Sequence, residues 1–113
     1  MGGDMAGAKL IVAYPVPTDV DAFERVYAAE HMPLAGPIFE AAGATKVVLT
    51  RVTGSPAGTP PYHRIVEVHF ASLAALQAAA ASQPAQDALA HARKISSGGA
   101  PVVLIAEEEV VTF

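Results

Sequence analysis

Residues 45–71 read TKVVLTRVTGSPAGTPPYHRIVEVHFA and decide the fold that the sequence predicts. Residues 45–53 and 62–71 are rich in β-branched and aromatic side chains, which is typical of strands. The link at 54–61 consists of Gly, Pro, Ser, Thr and Ala, which is turn composition. A link this short leaves no room for a crossover helix. We therefore predict an antiparallel hairpin.

Before the hairpin, the apolar run at 8–14 predicts a strand that Pro15 and Pro17 end. Thr18 or Asp19 then caps a helix over roughly residues 19–32. Pro33 lacks an N–H group and is expected to break that helix. Residues 33–42 are therefore predicted to form an irregular or short helical turn.

After the hairpin, Ser72 is predicted to cap a helix, and Ser82-Gln83-Pro84 restarts the helix as far as about Ile95. Residues 101–111 predict a last strand. The order strand, helix, strand, strand, helix, strand is the α+β, ferredoxin-like βαββαβ pattern with a four-stranded antiparallel sheet. We expect one domain over 8–113 and a disordered N-terminal tail over 1–7.

The predicted strands are apolar on both faces, as in Leu10-Ile11-Val12 and in the run at 102–105. A sheet with one face in water alternates apolar and polar residues. Helices cover only one face in a fold of this kind, and no segment remains for the other face. The sequence therefore predicts a homodimer whose sheets pack face to face.

Composition limits the partners and the chemistry. The 113 residues are 52% hydrophobic and 16% charged, with a net charge of −4 and no basic cluster. Nucleic acid and anionic membranes are therefore not expected partners. The absence of cysteine excludes disulfides and thiolate ligands, and it favours a cytoplasmic location. The chain also has no apolar run of membrane-spanning length.

His31 is the leading candidate for chemistry. Phe23, Tyr27 and His31 follow one another at spacings of four, so they share one helix face. A neutral imidazole near pH 7 suits proton abstraction, and we take His31 as an acid/base or hydrogen-bonding group facing a cavity. The alternative is a structural histidine that bonds carbonyls at the helix end.

The other polar residues can each be explained by a structural role as well as by a functional one. Tyr14 ends the first strand and either reaches the same cavity or packs at the rim. Glu67 and His69 share one face of the third strand, and the sequence does not determine which face that is. His91 is most simply a solvated or helix-end residue. No histidines or carboxylates have chelating spacing, so no metal site is predicted.

Several segments resemble the EthD family over nearly the whole chain. The most specific is the element His31-Met32-Pro33-Leu34, and the others are Tyr14–Pro17, Asp21–Phe23 with Tyr27, Tyr62–Leu73 and Ser82–Gln86. The resemblance implies a dimeric α+β barrel, in which two ferredoxin-like subunits join their sheets with the helices outside and a pocket lies between sheet and helices. His31 matches the family's characteristic histidine. Residues 90–95 depart from the family pattern, where an aromatic is lost and basic groups arrive.

The wider superfamily includes small monooxygenases, lactone isomerases and haem-binding proteins. By that resemblance we expect a cofactor-free oxygenase, oxidoreductase or isomerase that acts on a small apolar or aromatic oxygenated compound. His31 is its expected catalytic residue, and the expected ligand-binding residues are Tyr14, Phe23, Tyr27, Ile38, Phe39, Glu67 and His69. The alternatives are haem binding through His31 and a non-catalytic dimeric accessory protein without an enclosed cavity beside His31.

Overall fold

The computed structural model describes residues 7–113 and contains one four-stranded antiparallel sheet. Its strands lie in the order β2-β3-β1-β4. They are β1 (Ala8–Pro15), β2 (Lys46–Arg51), β3 (Tyr62–Phe70) and β4 (Val102–Glu107). The predicted ferredoxin-like α+β fold is confirmed, and the hairpin at 45–71 supplies β2 and β3. The predicted tail lies outside the described residues except for Gly7, whose carbonyl accepts a hydrogen bond from the Glu108 amide.

The helices cover one face of the sheet. They are α1 (Val20–Val26), α2 (Met32–Ala41), α3 (Leu73–Ala80) and α4 (Gln83–Ile95). The side chains of Asp19, Ser72 and Ser82 cap α1, α3 and α4 by accepting backbone N–H bonds. Helix α4 buries only alanines against the core, namely Ala85, Ala88 and Ala92. Small side chains let this helix lie close to its neighbours.

The helix at His31 does not break, so the prediction that Pro33 ends it is wrong, and the segment predicted as an irregular or short helical turn is the ten-residue helix α2. A π-helical turn, Tyr27–His31, joins α1 to α2 without interruption. The amide of Met32 donates to the carbonyl of Tyr27, one residue further back than in an α-helix. Pro33 then occupies the first turn of α2, where its missing N–H costs little. The additional residue in this π-helical segment directs the side chains of both Tyr27 and His31 towards the core.

The register decides what lies on the other sheet face. Ile11 pairs with Glu67 on one side and with Leu104 on the other, and Lys9 pairs with His69. Directly paired residues share a face, and Leu10, Val12 and Val68 occupy the helix-covered one. Glu67, His69 and Leu104 therefore lie on the face away from the helices. We call this surface the open face.

Candidate functional site

A narrow cavity lies between the sheet and the helices. Its volume is about 30 Å³, which is room for about two water molecules. Most of its walls are apolar, and the polar groups come from three residues on two elements. The lining residues are Leu10, Val12, Tyr14, Tyr27, His31, Met32, Ala35, Gly36, Phe39, Val47, Val66, Val68, Ala88, Leu89 and Ala92.

Tyr14, Phe23 and Tyr27 form an aromatic cluster beside the cavity. The Tyr14 ring meets Phe23 and Tyr27 edge-on, with centroids 5.2 and 5.8 Å away. Phe23 and Tyr27 stack at 5.7 Å. All three side chains are buried. Such contacts hold the Tyr14 hydroxyl in one place relative to the π-helical turn.

His31 takes part in a short chain of polar contacts. Its Nε2 atom lies 3.5 Å from the Tyr14 hydroxyl. Its Nδ1 atom lies 3.0 Å from Nδ1 of His91 on α4. The two imidazole planes are 3° apart with centroids separated by 5.2 Å, so the rings meet edge to edge in a common plane. A neutral imidazole has one donor and one acceptor, and both contacts of His31 can be hydrogen bonds.

Burial keeps these groups uncharged near neutral pH. Loss of solvent, reinforced by repulsion from His91, lowers the pKa of His31 to about 4. Burial also raises the pKa of the Tyr14 hydroxyl well above its usual range. His31 is therefore a neutral base at pH 7, and Tyr14 is a neutral phenol that can donate and accept.

Arg64 and Glu24 brace the aromatic cluster. Both guanidinium nitrogens Nε and Nη2 donate to the Glu24 carboxylate, and the guanidinium carbon lies 4.7 Å from the centre of the Tyr27 ring. His63 contacts the same carboxylate at 3.1 Å. These partners lower the pKa of Glu24, the Arg64 hydrogen bond most strongly. The ion pair thereby fixes one face of Tyr27.

A β-bulge makes this double contact possible. The pairing of β1 with β3 shifts between Tyr14 and Pro15, which leaves His63 as an extra residue opposite them. Neighbouring side chains on a regular strand point to opposite faces. The bulge locally relaxes that alternation, so His63 and Arg64 both reach Glu24.

The Tyr27 hydroxyl is the one buried side-chain polar atom without a hydrogen-bond partner among the residues 7–113. Burial raises the pKa of Tyr27 to about 12. A buried donor without a partner costs about 1–3 kcal/mol. This hydroxyl belongs to a cavity-lining residue, and a bound oxygen atom would satisfy it.

The structure brings together some of the predicted site residues and separates others. His31, Tyr14, Tyr27 and Phe39 line the cavity. Phe23 packs behind the two tyrosines, and Ile38 lies on another side of α2, near Ser82 and Pro84.

Glu67 and His69 lie on the open face, so they do not share the cavity with His31. Nε2 of His69 is 3.1 Å from Glu67, and Lys9 is 3.3 Å from the same oxygen. Glu108 lies 3.7 Å from Lys9 and 3.8 Å from His69. These four residues form what we call the open-face charge cluster. They satisfy one another, which accounts for a buried histidine on this face.

Sequence reasoning missed His91, Arg64 and Glu24. A spacing signal existed for His91, because it lies three residues after Ala88 and beside Ala92 on the buried side of α4. Strand alternation places Arg64 on the same face as Val66 and Val68, but nothing in the sequence indicated Glu24 as its partner, because that contact depends on how α1 lies on the sheet. The changed segment at 90–95 therefore includes a residue that contacts His31.

Acid should destabilise the protein through His31. In the unfolded chain the pKa of His31 is near 6.5, whereas in the folded chain it is about 4. The unfolded chain therefore binds a proton at a higher pH than the folded chain does. The free energy of unfolding should therefore be fully retained above pH 6.5 and fall by about 2–3 kcal/mol between there and pH 4. Urea unfolding at pH 7, 5.5 and 4.5 measures this slope. The lowered pKa of Glu24 adds a further loss at the acid end.

The variant His31→Gln should flatten the slope between pH 6.5 and 4.5 while retaining the Glu24 contribution at lower pH. Equal pH slopes of the free energy of unfolding in His31→Gln and the original protein would show that the pKa of His31 is not lowered by folding.

The arrangement does not fit a haem. Both ring nitrogens of His31 are engaged within the chain, by Tyr14 and by His91, so neither is free to bind an iron atom. The lining of the cavity contains no Lys or Arg to meet propionates. Within residues 7–113, no group of three or more His, Cys, Asp or Glu side chains is placed to hold a metal ion. No helix in that range is long and apolar enough to cross a membrane.

Comparison with known families and structures gives one family match. The model of the EthD domain matches residues 16–96. No curated protein is significantly similar in sequence. The matched range contains α1, the π-helical turn, the hairpin and α4, and so includes His31, Arg64 and His91.

Solved structures share the fold. An ethyl tert-butyl ether D (EthD) family protein from Bacillus halodurans C-125 is 29% identical, with a TM-score of 0.79 over 90% of this chain and 98% of that one. A dimeric ferredoxin-like protein of unknown function from Jannaschia sp. CCS1 is 21% identical, with a TM-score of 0.66 over 92% and 100%. A proposed antibiotic biosynthesis monooxygenase from Caulobacter crescentus CB15 is 23% identical, with a TM-score of 0.58 over 96% and 92%.

Proposed function

The chain belongs to the EthD family, and from that premise we propose that it binds a small apolar or aromatic oxygenated compound beside His31 and moves a proton on it. The observation that carries the proposal is a buried, neutral imidazole hydrogen-bonded to a tyrosine in an otherwise apolar cavity. Proton removal from a phenol-like or α-keto compound begins either an isomerisation or a cofactor-free oxygenation. The protein is accordingly an isomerase or a cofactor-independent monooxygenase.

Each polar group of the cavity has a place in this chemistry. Tyr27 offers a hydroxyl without a partner, which suits a carbonyl or ether oxygen of the ligand. Tyr14 lines the same cavity and its hydroxyl lies 3.5 Å from Nε2 of His31, so a proton can leave the ligand through Tyr14 to His31. The low pKa of His31, about 4, keeps the imidazole neutral at pH 7, and its Nε2 can accept a proton in the tautomer that carries the hydrogen on Nδ1. The apolar walls, including Leu10 and Phe39, exclude water from the reacting atoms.

The cavity must widen to admit such a compound. Pockets that hold small molecules have volumes of about 300–1,000 Å³, whereas this one has about 30 Å³. Met32 and Leu89 line it and are only partly buried. An unbranched methionine adapts readily to a ligand. We place the entrance between α2 and α4, where these two side chains meet solvent.

Replacing His31 tests the proposal. A panel of quinones, lactones and small ethers is first screened by ligand-induced thermal shift, and turnover is followed for each compound that binds. His31→Gln and His31→Ala should lower turnover by about 10²–10⁴-fold, because a positioned acid or base contributes that much. The thermal shift should decrease as well.

The matched control is Arg25→Gln, a change at an exposed position of the same helical segment. It should leave both readouts unchanged. Turnover and thermal shifts that are equal in His31→Ala and the original protein would refute the acid/base role. They would favour the non-catalytic accessory function, in which His31 only supports the helix.

We also propose that a second copy of the chain covers the open face. Apolar side chains on this face are exposed, including Val48 at 36% and Leu104 at 51%. Lys9 contacts both carboxylates of the open-face charge cluster, at 3.3 and 3.7 Å, so each carboxylate has a cationic partner within its own chain. A relative of the same fold is a dimeric protein. Two copies related by a two-fold axis would place their open faces against each other.

A further inference from the structure

His91 connects the buried His31 with a groove on the surface. The groove lies between the start of α1 and the end of α4 and has a volume of about 330 Å³. Phe23 and Ile95 contribute apolar walls, and Glu30, His91 and Lys94 contribute polar ones. His91 is half-buried, whereas His31 is 7% exposed. One side of the imidazole pair therefore meets solvent and the other meets the cavity.

We propose that Tyr14, His31 and His91 form a proton relay that joins the cavity to this groove, with His91 as the relay's outer positioning residue. The inference rests on the proposed acid/base role of His31 and extends it. A buried base that takes a proton must pass it on before the next turnover. His91 is the residue through which His31 can do so.

The hydrogen-bond inventory allows only two neutral arrangements. The two Nδ1 atoms are 3.0 Å apart, so one of them carries the hydrogen and the other accepts it. If His31 donates, its Nε2 accepts from the Tyr14 hydroxyl, and Nε2 of His91 carries a hydrogen into the groove. If His91 donates, Nε2 of His31 donates to the Tyr14 oxygen. The Tyr14 hydrogen is then free for the cavity.

One proton crossing the chain converts the first arrangement into the second. The ligand's proton goes to the Tyr14 oxygen while the Tyr14 proton goes to Nε2 of His31. The Nδ1 proton of His31 goes to Nδ1 of His91, and the Nε2 proton of His91 goes to a groove water. Every residue ends neutral, and the reverse passage returns a proton to the product. The 3.5 Å gap between Tyr14 and His31 must shorten for the first transfer.

The surroundings of the relay favour a concerted passage. Burial raises the pKa of Tyr14, so a free tyrosinate does not form during the proton transfer. Tyr27 and Arg64 are the other ionisable groups near the cavity end, and Arg64 is engaged with Glu24. At the outer end, Asp19, Glu30 and Lys94 line the groove with His91. When His91 is protonated, both of its nitrogens donate, which holds His31 in the Nε2–H form.

Nitrogen-15 NMR of the labelled full chain tests the relay without a substrate. Two-bond correlations from the ring protons should show opposite tautomers for His31 and His91 at pH 8. Lowering the pH should move His31 to the Nε2–H form, because a proton that enters from the groove requires His91 to donate from Nδ1 to His31. In His91→Phe this pH response of His31 should disappear, whereas Lys94→Gln should retain it. Responses of His31 that are equal in the original protein and His91→Phe would overturn the relay.

A turnover assay separates this inference from the proposed function. His91→Ala should lower kcat by about 10- to 100-fold with little change in KM, and added imidazole in the groove should restore it. Added imidazole should not restore turnover to His31→Ala, because position 31 is buried. Loss of turnover in His31→Ala with normal kcat in His91→Ala would refute the relay and leave the acid/base role of His31 intact.

Discussion

Replacing Tyr14 by alanine is expected to lower the free energy of unfolding by about 3–5 kcal/mol. Tyr14 is 1% exposed and is among the largest fully buried side chains. Its loss leaves a cavity next to the existing one and removes two edge-on aromatic contacts, with Phe23 and Tyr27. Helix α1 and β1 meet through these rings, so little can collapse into the space. Urea unfolding at pH 7 measures the loss.

The matched variant Tyr14→Phe keeps the ring and removes only the hydroxyl. It should cost about 0.5–1.5 kcal/mol, the usual contribution of one buried hydrogen bond. A cost below about 1 kcal/mol for Tyr14→Ala would show that the cluster is loosely packed. Equal costs for the two variants would mean that the hydroxyl, and not the ring, supports this part of the core.

Replacing Leu104 by glutamate is expected to abolish the proposed dimer. Leu104 is 51% exposed and lies on the open face opposite Ile11. Each copy would bring one unpaired carboxylate into the interface, and burying such a charge costs several kcal/mol. The dissociation constant should therefore rise at least about 100-fold. Sedimentation equilibrium at micromolar concentration distinguishes the dimer from the single chain.

Ile105 supplies the matched control for this experiment. It is the next residue of β4, is also 51% exposed, and lies on the helix side of the sheet. Ile105→Glu should leave the dimer intact. Dissociation caused by Ile105→Glu but not by Leu104→Glu would place the contact at the edge of the sheet instead. A single-chain mass for the unaltered protein would refute the dimer altogether.

Most of the fold was predictable because its signals are local. Pro15 and Pro17 end β1, the link at 54–61 can only be a turn, and Ser72 and Ser82 cap the helices they precede. The same reasoning gave a wrong prediction at Pro33, where it expected the helix to end. A proline stops an α-helix that must continue its hydrogen bonds, but the π-helical turn before it removes that requirement. The turn depends on the core accepting both Tyr27 and His31, which is a tertiary condition.

The sequence by itself determined the order of the elements, the apolar character of both sheet faces, and His31 as the candidate group in a stripe with Tyr27. Only the tertiary structure decided which polar side chains meet. The register turned Glu67 and His69 to the open face, and the packing of alanines in α4 brought His91 to His31. The physical reason is that periodicity specifies a face of one element, whereas contact between elements depends on their register and distance of approach.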